Sequence, residues 1–245
     1  MNINNKFFIK NGFQVFRAFY PKSFYTNILK SIFYFIGENN FRTGISFESA
    51  KLHKTLLELR KTEKFTVFYK KLQNLCALEQ IFNNKKLLNI ISKILNCDPS
   101  LISSSGRMLR LDAPEDNIFS YGFHQDSFYY NQNPKTDNGC VVLLPFTKTK
   151  IVNGTLKIIS GSHKLGRLKH KKKKGKNYYS ICNLQNILNN VTQLDYNLGD
   201  MLILDLNTIH ASGNNLSKYF RISAGVRFHN TSKYDFKPFS LQTIF

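Results

Sequence analysis

The chain has no tryptophan, 15 acidic side chains against 35 lysines and arginines, and four cysteines in 245 residues. Cys76, Cys97, Cys140 and Cys182 stand far apart and form no Cys-x-x-Cys pair. That spacing excludes zinc ribbons and dense disulfide frameworks and leads us to expect reduced thiols in a cytoplasmic protein. No apolar run approaches the ~20 residues that a membrane-crossing helix needs, and the opening residues lack the charged-then-apolar pattern of a secretory signal. No membrane span is expected. The shortage of acid leaves a net charge of +20, which attracts phosphates, nucleic acid or anionic membranes. Composition bias across a genome produces the same excess in a chain so rich in Lys, Asn, Ile, Phe and Tyr, so only clustered charge is informative. One cluster qualifies, RLKHKKKKGK from Arg167 to Lys176.

What the chain does contain is 42% hydrophobic and 14% aromatic residues, enough to bury one sizeable core, and a single domain is expected. Its texture changes near residue 98. Before that point a β-like run from Gly12 to Phe19 leads past Pro21 into KSFYTNILKSIFYFIGE, where apolar residues recur at helical spacing. Helices are also predicted from Phe47 to Leu59, with a weaker continuation to Leu75, and from Asn83 to Leu95. Beyond Ser100 the segments are short and rich in β-branched residues: ISSSGRMLRLD, GCVVLLPFTKTK, GTLKIIS, GDMLILDL and RISAGVRFHN. This order predicts an α+β protein, with a mainly helical part over 1–97 and a β-sandwich or jelly roll over 98–245, the helices packed on one sheet.

One short stretch concentrates chemistry. In YGFHQDSFYY, His124 and Asp126 are two residues apart, and in an extended chain such residues share a face and can converge on one ion. Non-haem Fe(II) oxygenases bind their metal through two histidines and one carboxylate, so a second histidine is required. Of the later candidates, His210 ends the apolar segment GDMLILDLNTIH, and a strand there carries it inward. His170 falls in the lysine run and is expected in a solvated loop. His163 belongs to a Gly-Ser-His turn and reads as structural or as a support behind the ligands, and His229 as a rim or packing residue at the end of the last strand. Arg221 opens the next strand, where a guanidinium on an adjacent antiparallel strand suits the far carboxylate of a diacid cosubstrate in a bidentate fork. Ser212, two residues after His210, adds a hydroxyl for that carboxylate.

With these residues in place, NGTLKIISGSHK (Asn153 to Lys164) resembles the signature of the phytanoyl-CoA dioxygenase family of Fe(II)/2-oxoglutarate oxygenases. HQD before it and GDMLILDLNTIHASG and Arg221 after it follow that family's order, and FFIKNGFQVFRAFYPKSF is similar to its opening. The resemblance implies a double-stranded β-helix, Fe(II) on His124, Asp126 and His210, 2-oxoglutarate gripped by Arg221 with Gln125 and Ser212 beside it, and O2 as co-reactant. It implies hydroxylation of an aliphatic C–H with release of succinate and CO2; related halogenases lack the carboxylate that Asp126 supplies. Leu143 stands where many members carry Trp, which leaves the pocket wall open. The substrate expected is a small molecule, with an acyl or phosphate-bearing metabolite among the options. Arg107, Arg110, Tyr129, Tyr130, Lys171 and Lys172 are its candidate contacts. A nucleic-acid demethylase shares the His-x-Asp, His, Arg scaffold, but the Gly-Ser-His signature argues against it. A non-catalytic jelly-roll binder gives an intact triad no purpose.

Overall fold

The computed structural model describes residues 3–37, 46–115, 120–130, 138–175, 178–184 and 188–232. At the start, α1 (Asn5–Asn11) is capped by the Asn4 side chain, which accepts from the Phe7 amide. Gly12, at φ 75°, ends it in the left-handed region that glycine tolerates, and β1 (Phe13–Phe16) follows. Periodicity predicts only the strand, because a seven-residue helix is too short to show a repeat.

The helical half is amphipathic. In α2 (Thr26–Phe35), Ile28, Leu29, Ile32 and Phe33 are buried. The span expected as one helix with a weak continuation divides into α3 (Ala50–Arg60), capped by Ser49, and α4 (Lys64–Gln73), with the break at residues 61–63. An unexpected α5 (Cys76–Phe82) follows, then α6 (Lys85–Leu95), which starts at the Asn84 cap and stops at Asn96 with φ 48°.

The second half supplies β2 (Ile102–Asp112), the short α7 (Ser127–Tyr130), β3 (Gly139–Pro145), β4 (Lys157–Ile159), β5 (His170–Lys172), β6 (Tyr179–Ile181), β7 (Val191–Gln193), β8 (Met201–Asp205), β9 (His210–Ala211) and β10 (Arg221–Asn230). They form a five-stranded antiparallel sheet in the order β1-β8-β3-β10-β2, a three-stranded antiparallel sheet β7-β4-β9, and the hairpin β5-β6. The protein is thus α+β with several antiparallel sheets.

Side-chain alternation gives the large sheet two different faces. On β10, Ile222, Ala224, Val226 and Phe228 join the helices in one core cluster that also contains Ile32, Leu56, Leu87 and Ile91. Each such fully buried aliphatic or aromatic side chain contributes about 1.5–3 kcal/mol, which ties the helices to this face. Met201 and Ile203 of β8 belong to that core. Leu202 and Leu204 instead pack with Phe13, Val141 and Ile158 between the two sheets. Burial on both faces explains why β8 reads as an unbroken apolar run.

The pairing of β2 with β10 slips once, from Gly225 opposite Met108 to Arg227 opposite Ser105. Gly106, at φ 58°, absorbs the extra residue of this bulge in β2.

Candidate active site

His124 and His210 are joined by backbone pairing: the His124 amide donates to the His210 carbonyl at 2.9 Å and the reverse bond is 3.0 Å. Their ring centroids lie 4.4 Å apart. His210 does not continue the apolar strand as its sequence suggests. β8 stops at Asp205, the chain turns, and His210 enters on β9 in the smaller sheet, where it pairs with Ile158. Ser162 of the Gly-Ser-His turn secures that path, its Oγ accepting from the Ile209 amide at 2.8 Å. Asp126 is likewise not on an extended strand; it sits in the turn that opens α7, with its carbonyl accepting from Tyr129. Turn and bridge together produce the convergence expected of alternating strand positions.

One ligand atom from each of His124, Asp126 and His210 lies within 4.8 Å of the others, and all three residues are buried. His124 Nε2 is 3.5 Å from Asp126 Oδ1. The Nδ1 atoms face carbonyl oxygens, Gly122 at 2.8 Å for His124 and Thr208 at 3.0 Å for His210. A carbonyl only accepts, so each Nδ1 carries the proton and each Nε2 keeps its lone pair free toward the centre. Burial, helped by the neighbouring His124, pushes His210 down to about 4 and keeps it neutral. Burial alone would raise Asp126, but the Arg227 guanidinium and then the two histidines outweigh it and hold the carboxyl well below its usual range. Two imidazole nitrogens and an ionised carboxylate that converge in this way, with Arg227 paired to the carboxylate, are a donor set suited to Fe(II).

Arg227 is a site residue that composition does not single out. Its Nε donates to Asp126 Oδ2 at 2.8 Å and its Nη1 to the Gly106 carbonyl at 3.1 Å, so the β2 bulge aims an acceptor at the arginine that holds the carboxylate. The signal available in the sequence is parity: Arg221, Ser223, Gly225 and Arg227 alternate with the core positions of β10.

The triad opens into a cavity of about 290 Å³ lined among others by Met108, Arg110, Tyr121, Tyr129, Leu156, Ser212 and Arg227. A smaller space of about 60 Å³ adjoins it, with Arg221, Ser223, Thr149 and Tyr196 in its wall. Arg110, Leu143 and Leu156 line both, so Leu143 is the partition at the position where a bulkier residue was expected. Leu143 also leans on the bare face of Gly225, where an added Cβ would approach its Cδ2 to 2.8 Å.

Arg221 is not adjacent to β9, contrary to the sequence expectation; it lies in the other sheet. Its fork is already engaged: Nε and Nη2 both donate to Asp112 Oδ2, at 2.9 and 2.6 Å. Arg110 holds the other oxygen through Nη2 at 2.9 Å. Burial pushes Asp112 up, but the charges of Arg110 and then Arg221 overcome it and leave the carboxyl lowered. Two guanidinia and one carboxylate leave one net positive charge at the wall of the smaller space. Gly154, at φ 88°, lets the Asn-Gly turn approach this group; an added Cβ would sit 3.0 Å from Arg221 Nη1.

Residues 10–223 match the model of the phytanoyl-CoA dioxygenase family. The chain belongs to this family. No curated protein matches the sequence. Similar solved structures include the non-heme monooxygenase ThoJ, 17% identical with a TM-score of 0.64 over 92% of this chain and 76% of that one. EvdO2 from Micromonospora carbonacea var. aurantiaca, complexed with 2-oxoglutarate, is 14% identical with a TM-score of 0.63 and 98% coverage of both chains. EctD from S. alaskensis, with 2-oxoglutarate and 5-hydroxyectoine, is 12% identical with a TM-score of 0.62 over 96% of this chain and 77% of that one. This phytanoyl-CoA dioxygenase family member is an Fe(II)- and 2-oxoglutarate-dependent oxygenase. Among its described residues no helix is long and apolar enough to cross a membrane.

Two of the residues expected at the site of this family member lie elsewhere. Gln125 does not face the cosubstrate space: its Nε2 donates to the Gly166 and Asn207 carbonyls at 2.7 and 2.8 Å, and its Oε1 accepts from the Leu168 amide at 2.7 Å. As the residue between two ligands it points away from both and clamps the neighbouring loops. Arg107 sits beside the bulge and pairs with Glu79 of α5 at 2.6 Å, which removes it from the substrate contacts. Arg110 and Tyr129 do line the larger cavity, and Ser212 lines it rather than the space beside Arg221, where Ser223 stands instead. The Tyr130 side chain and Lys176 lie outside the described residues. Lys171 and Lys172 are exposed on the β5-β6 hairpin. His170 is no solvated loop residue: its Nε2 accepts from the Gln125 amide at 3.1 Å and its ring stacks on Phe128 at 4.4 Å. His163 Nε2 accompanies the Ile9 carbonyl at 3.1 Å and packs away from the triad, while His229, on the same face of β10 as Arg227, is buried beside that arginine with its Nε2 3.0 Å from the Ser105 hydroxyl and is not among the three converging ligands.

Proposed function

We propose that His124, Asp126 and His210 hold the Fe(II) of a hydroxylase acting on an aliphatic C–H of a small or acyl- or phosphate-bearing metabolite. The observation that carries this reading is the buried meeting of one ligand atom each from His124, His210 and the ionised Asp126 carboxylate within 4.8 Å. Bound Fe(II), with 2-oxoglutarate and O2, supplies an oxidant able to replace an unactivated C–H by C–OH, with succinate and CO2 as coproducts.

The residues around the triad have separate tasks. Arg227 keeps Asp126 ionised and oriented. Gly122 and Thr208 fix the histidine tautomers through their carbonyls. The far carboxylate of 2-oxoglutarate is assigned to Arg221 and Arg110 together, because Asp112 occupies the Nε–Nη2 edge of Arg221. Ser223 and Thr149 add hydroxyls, and Leu143 and Leu156 keep water from the passage between the two spaces. Met108, Tyr121 and Tyr129 form the substrate-facing wall.

The two antiparallel sheets enclosing an apolar layer support a double-stranded β-helix, and the core shared by helices and large sheet supports one domain over 1–245, helical over 1–97 and jelly roll over 98–245. A cytoplasmic setting is supported by four unpaired cysteines. A small-molecule substrate fits the size of the larger cavity, about 290 Å³.

The test is anaerobic loading with Fe(II) and 2-oxoglutarate followed by oxygen. Slow succinate release that needs iron and O2 without added substrate is the expected result, and a metabolite screen should then find a product heavier by one oxygen. Absence of iron-dependent succinate release from folded, iron-loaded protein would remove the reading.

A further inference from the structure

Among the described residues the hydroxyl of Tyr196 is buried and has no hydrogen-bond partner. The residue is 4% exposed, and a polar group left unpaired inside a protein costs about 1–3 kcal/mol. Its backbone fixes its place: Tyr196 and Thr149 form an antiparallel bridge, each amide donating to the other's carbonyl at 2.8 Å. The side chain belongs to the apolar layer between the two sheets, with Phe13, Ile158 and Leu202. Arg17 stands beside the ring, its guanidinium carbon 5.9 Å from the centroid, but its Nη1 is engaged by the Asp200 carboxylate and the Asp195 carbonyl, both at 2.7 Å.

Tyr196 also lines the smaller space beside the triad cavity. Leu143, Pro145, Leu156 and Leu202 give that wall apolar sides without a side-chain acceptor. Its polar side chains are Arg110, Arg221, Ser223 and Thr149 besides Tyr196, and no carboxylate is among the lining residues. Asp112, which pairs with the two arginines, has one oxygen on each of them. The Thr149 hydroxyl already donates to the Thr147 carbonyl at 3.2 Å, which leaves Ser223 and Tyr196 as the neutral donors of this wall. Burial pushes the Tyr196 hydroxyl well above its ordinary range, and Arg17 offsets this only in part. At neutral pH the phenol therefore keeps its proton, donates, and brings no negative charge against an anion.

We propose that the Tyr196 hydroxyl donates to the far carboxylate of 2-oxoglutarate in the smaller space, as the neutral partner of Arg221 and Arg110. This rests on the proposed function, which assigns that carboxylate to the two arginines, and deepens it by naming a further residue that selects the cosubstrate. Asp112 holds the Nε–Nη2 edge of Arg221. The fork that grips both oxygens of a carboxylate is thus occupied, and an oxygen not met by a guanidinium needs another donor. A donor that stays unpaired until the cosubstrate arrives also discriminates: a 2-oxo acid without the far carboxylate leaves the buried hydroxyl unsatisfied.

The experiment uses the full chain loaded anaerobically with Fe(II) and titrated calorimetrically with 2-oxoglutarate, as wild type, Tyr196→Phe and Tyr25→Phe. Tm is measured for each without cosubstrate. Tyr25 is the control, a second buried hydroxyl without a partner among the described residues, packed on Phe146 in the core that the helices share. Tyr196→Phe should weaken 2-oxoglutarate about tenfold, with Fe(II) affinity within about twofold of wild type and no fall in Tm, because no bond inside the protein is lost. Tyr25→Phe should keep wild-type cosubstrate affinity. The inference is overturned if 2-oxoglutarate binds Tyr196→Phe as it binds wild type, if Fe(II) affinity falls to the same extent, or if both variants weaken the cosubstrate equally. A Tm lowered by several degrees in Tyr196→Phe also overturns it, since the hydroxyl would then be bonded within the protein. Substrate-free, iron-dependent succinate release by the wild-type protein separates the two readings. Its absence removes the iron chemistry on which the inference rests, whereas its presence with unchanged affinity in Tyr196→Phe removes only the tyrosine contact.

Discussion

Arg227 places its Nε 2.8 Å from Asp126 Oδ2, inside the protein, on a carboxylate whose other oxygen faces His124. The arginine is therefore the counter-charge that lets the buried carboxylate stay ionised without metal. Replacing Arg227 with Met leaves an uncompensated buried charge, a change that costs about 3–5 kcal/mol in such pairs. Asp126 then holds a proton more tightly, and protons compete with iron for the same oxygen. Anaerobic Fe(II) titration should show affinity lowered about 10- to 100-fold, with partial recovery in Arg227→Lys. An unchanged affinity would show that Arg227 does not position the carboxylate.

Histidine substitutions should separate ligands from packing residues. His124→Ala or His210→Ala removes one of two free Nε2 donors and should abolish both iron retention and succinate release. His163→Ala loses a contact with the Ile9 carbonyl and should keep its iron, although Tm should fall. Loss of iron in all three to the same extent would mean that the second histidine is misassigned.

Cosubstrate affinity should depend on both arginines of the Asp112 pair. Arg221→Leu removes a buried charge-assisted contact, and the KM for 2-oxoglutarate should rise by the equivalent of about 2–5 kcal/mol while Fe(II) remains bound. Arg110→Leu should raise the same constant, because Arg110 and Arg221 line one space. A KM that responds to Arg221 alone would return Arg110 to the substrate side of the cavity.

Asp205 provides a pH-dependent measure of stability away from the triad. Burial raises its carboxyl to about 6 from the ordinary 3.8, only partly offset by the Asn207 amide. The folded state thus binds the proton more tightly than the unfolded chain, so the stabilisation is present below 3.8 and disappears as pH rises through about 6. Above that range an ionised Asp205 costs on the order of 3 kcal/mol. Asp205→Asn keeps an acceptor for the Asn207 amide and carries no charge. It should raise Tm at pH 8 and leave it nearly unchanged at pH 4. Equal shifts at both pH values would refute the burial of this charge.

Strands with a strong pattern were legible to the residue: ISSSGRMLRLD and RISAGVRFHN are β2 and β10. Their alternation survives because one face meets the helices and the other the site. Less legible were α1 and α5, each seven residues long, since two turns do not display a 3.6-residue period. The Asn4 and Gly12 caps were the signal available for the first. His170 read as part of a solvated run because composition cannot register a hairpin whose anchoring residues, Gln125, Tyr121 and Tyr129, lie some forty or more positions away.

The sequence by itself determined the class of chemistry, since His124, Asp126, the Asn-Gly to Gly-Ser-His stretch, His210 and Arg221 occur in an order that few families share. It also determined the α+β character, because hydrophobic periodicity is a local property of the chain. Only the tertiary structure decided which charges meet. Asp112 joins Arg221 and Arg110 across the β2-β10 pair, Arg227 reaches Asp126 past the Gly106 bulge, and Gln125 turns away from the site to hold a loop. These contacts depend on strand register, bulge and turn, and a one-residue slip in any of them reverses the face a side chain presents. The order of residues along the chain does not contain that distinction until the sheets have paired.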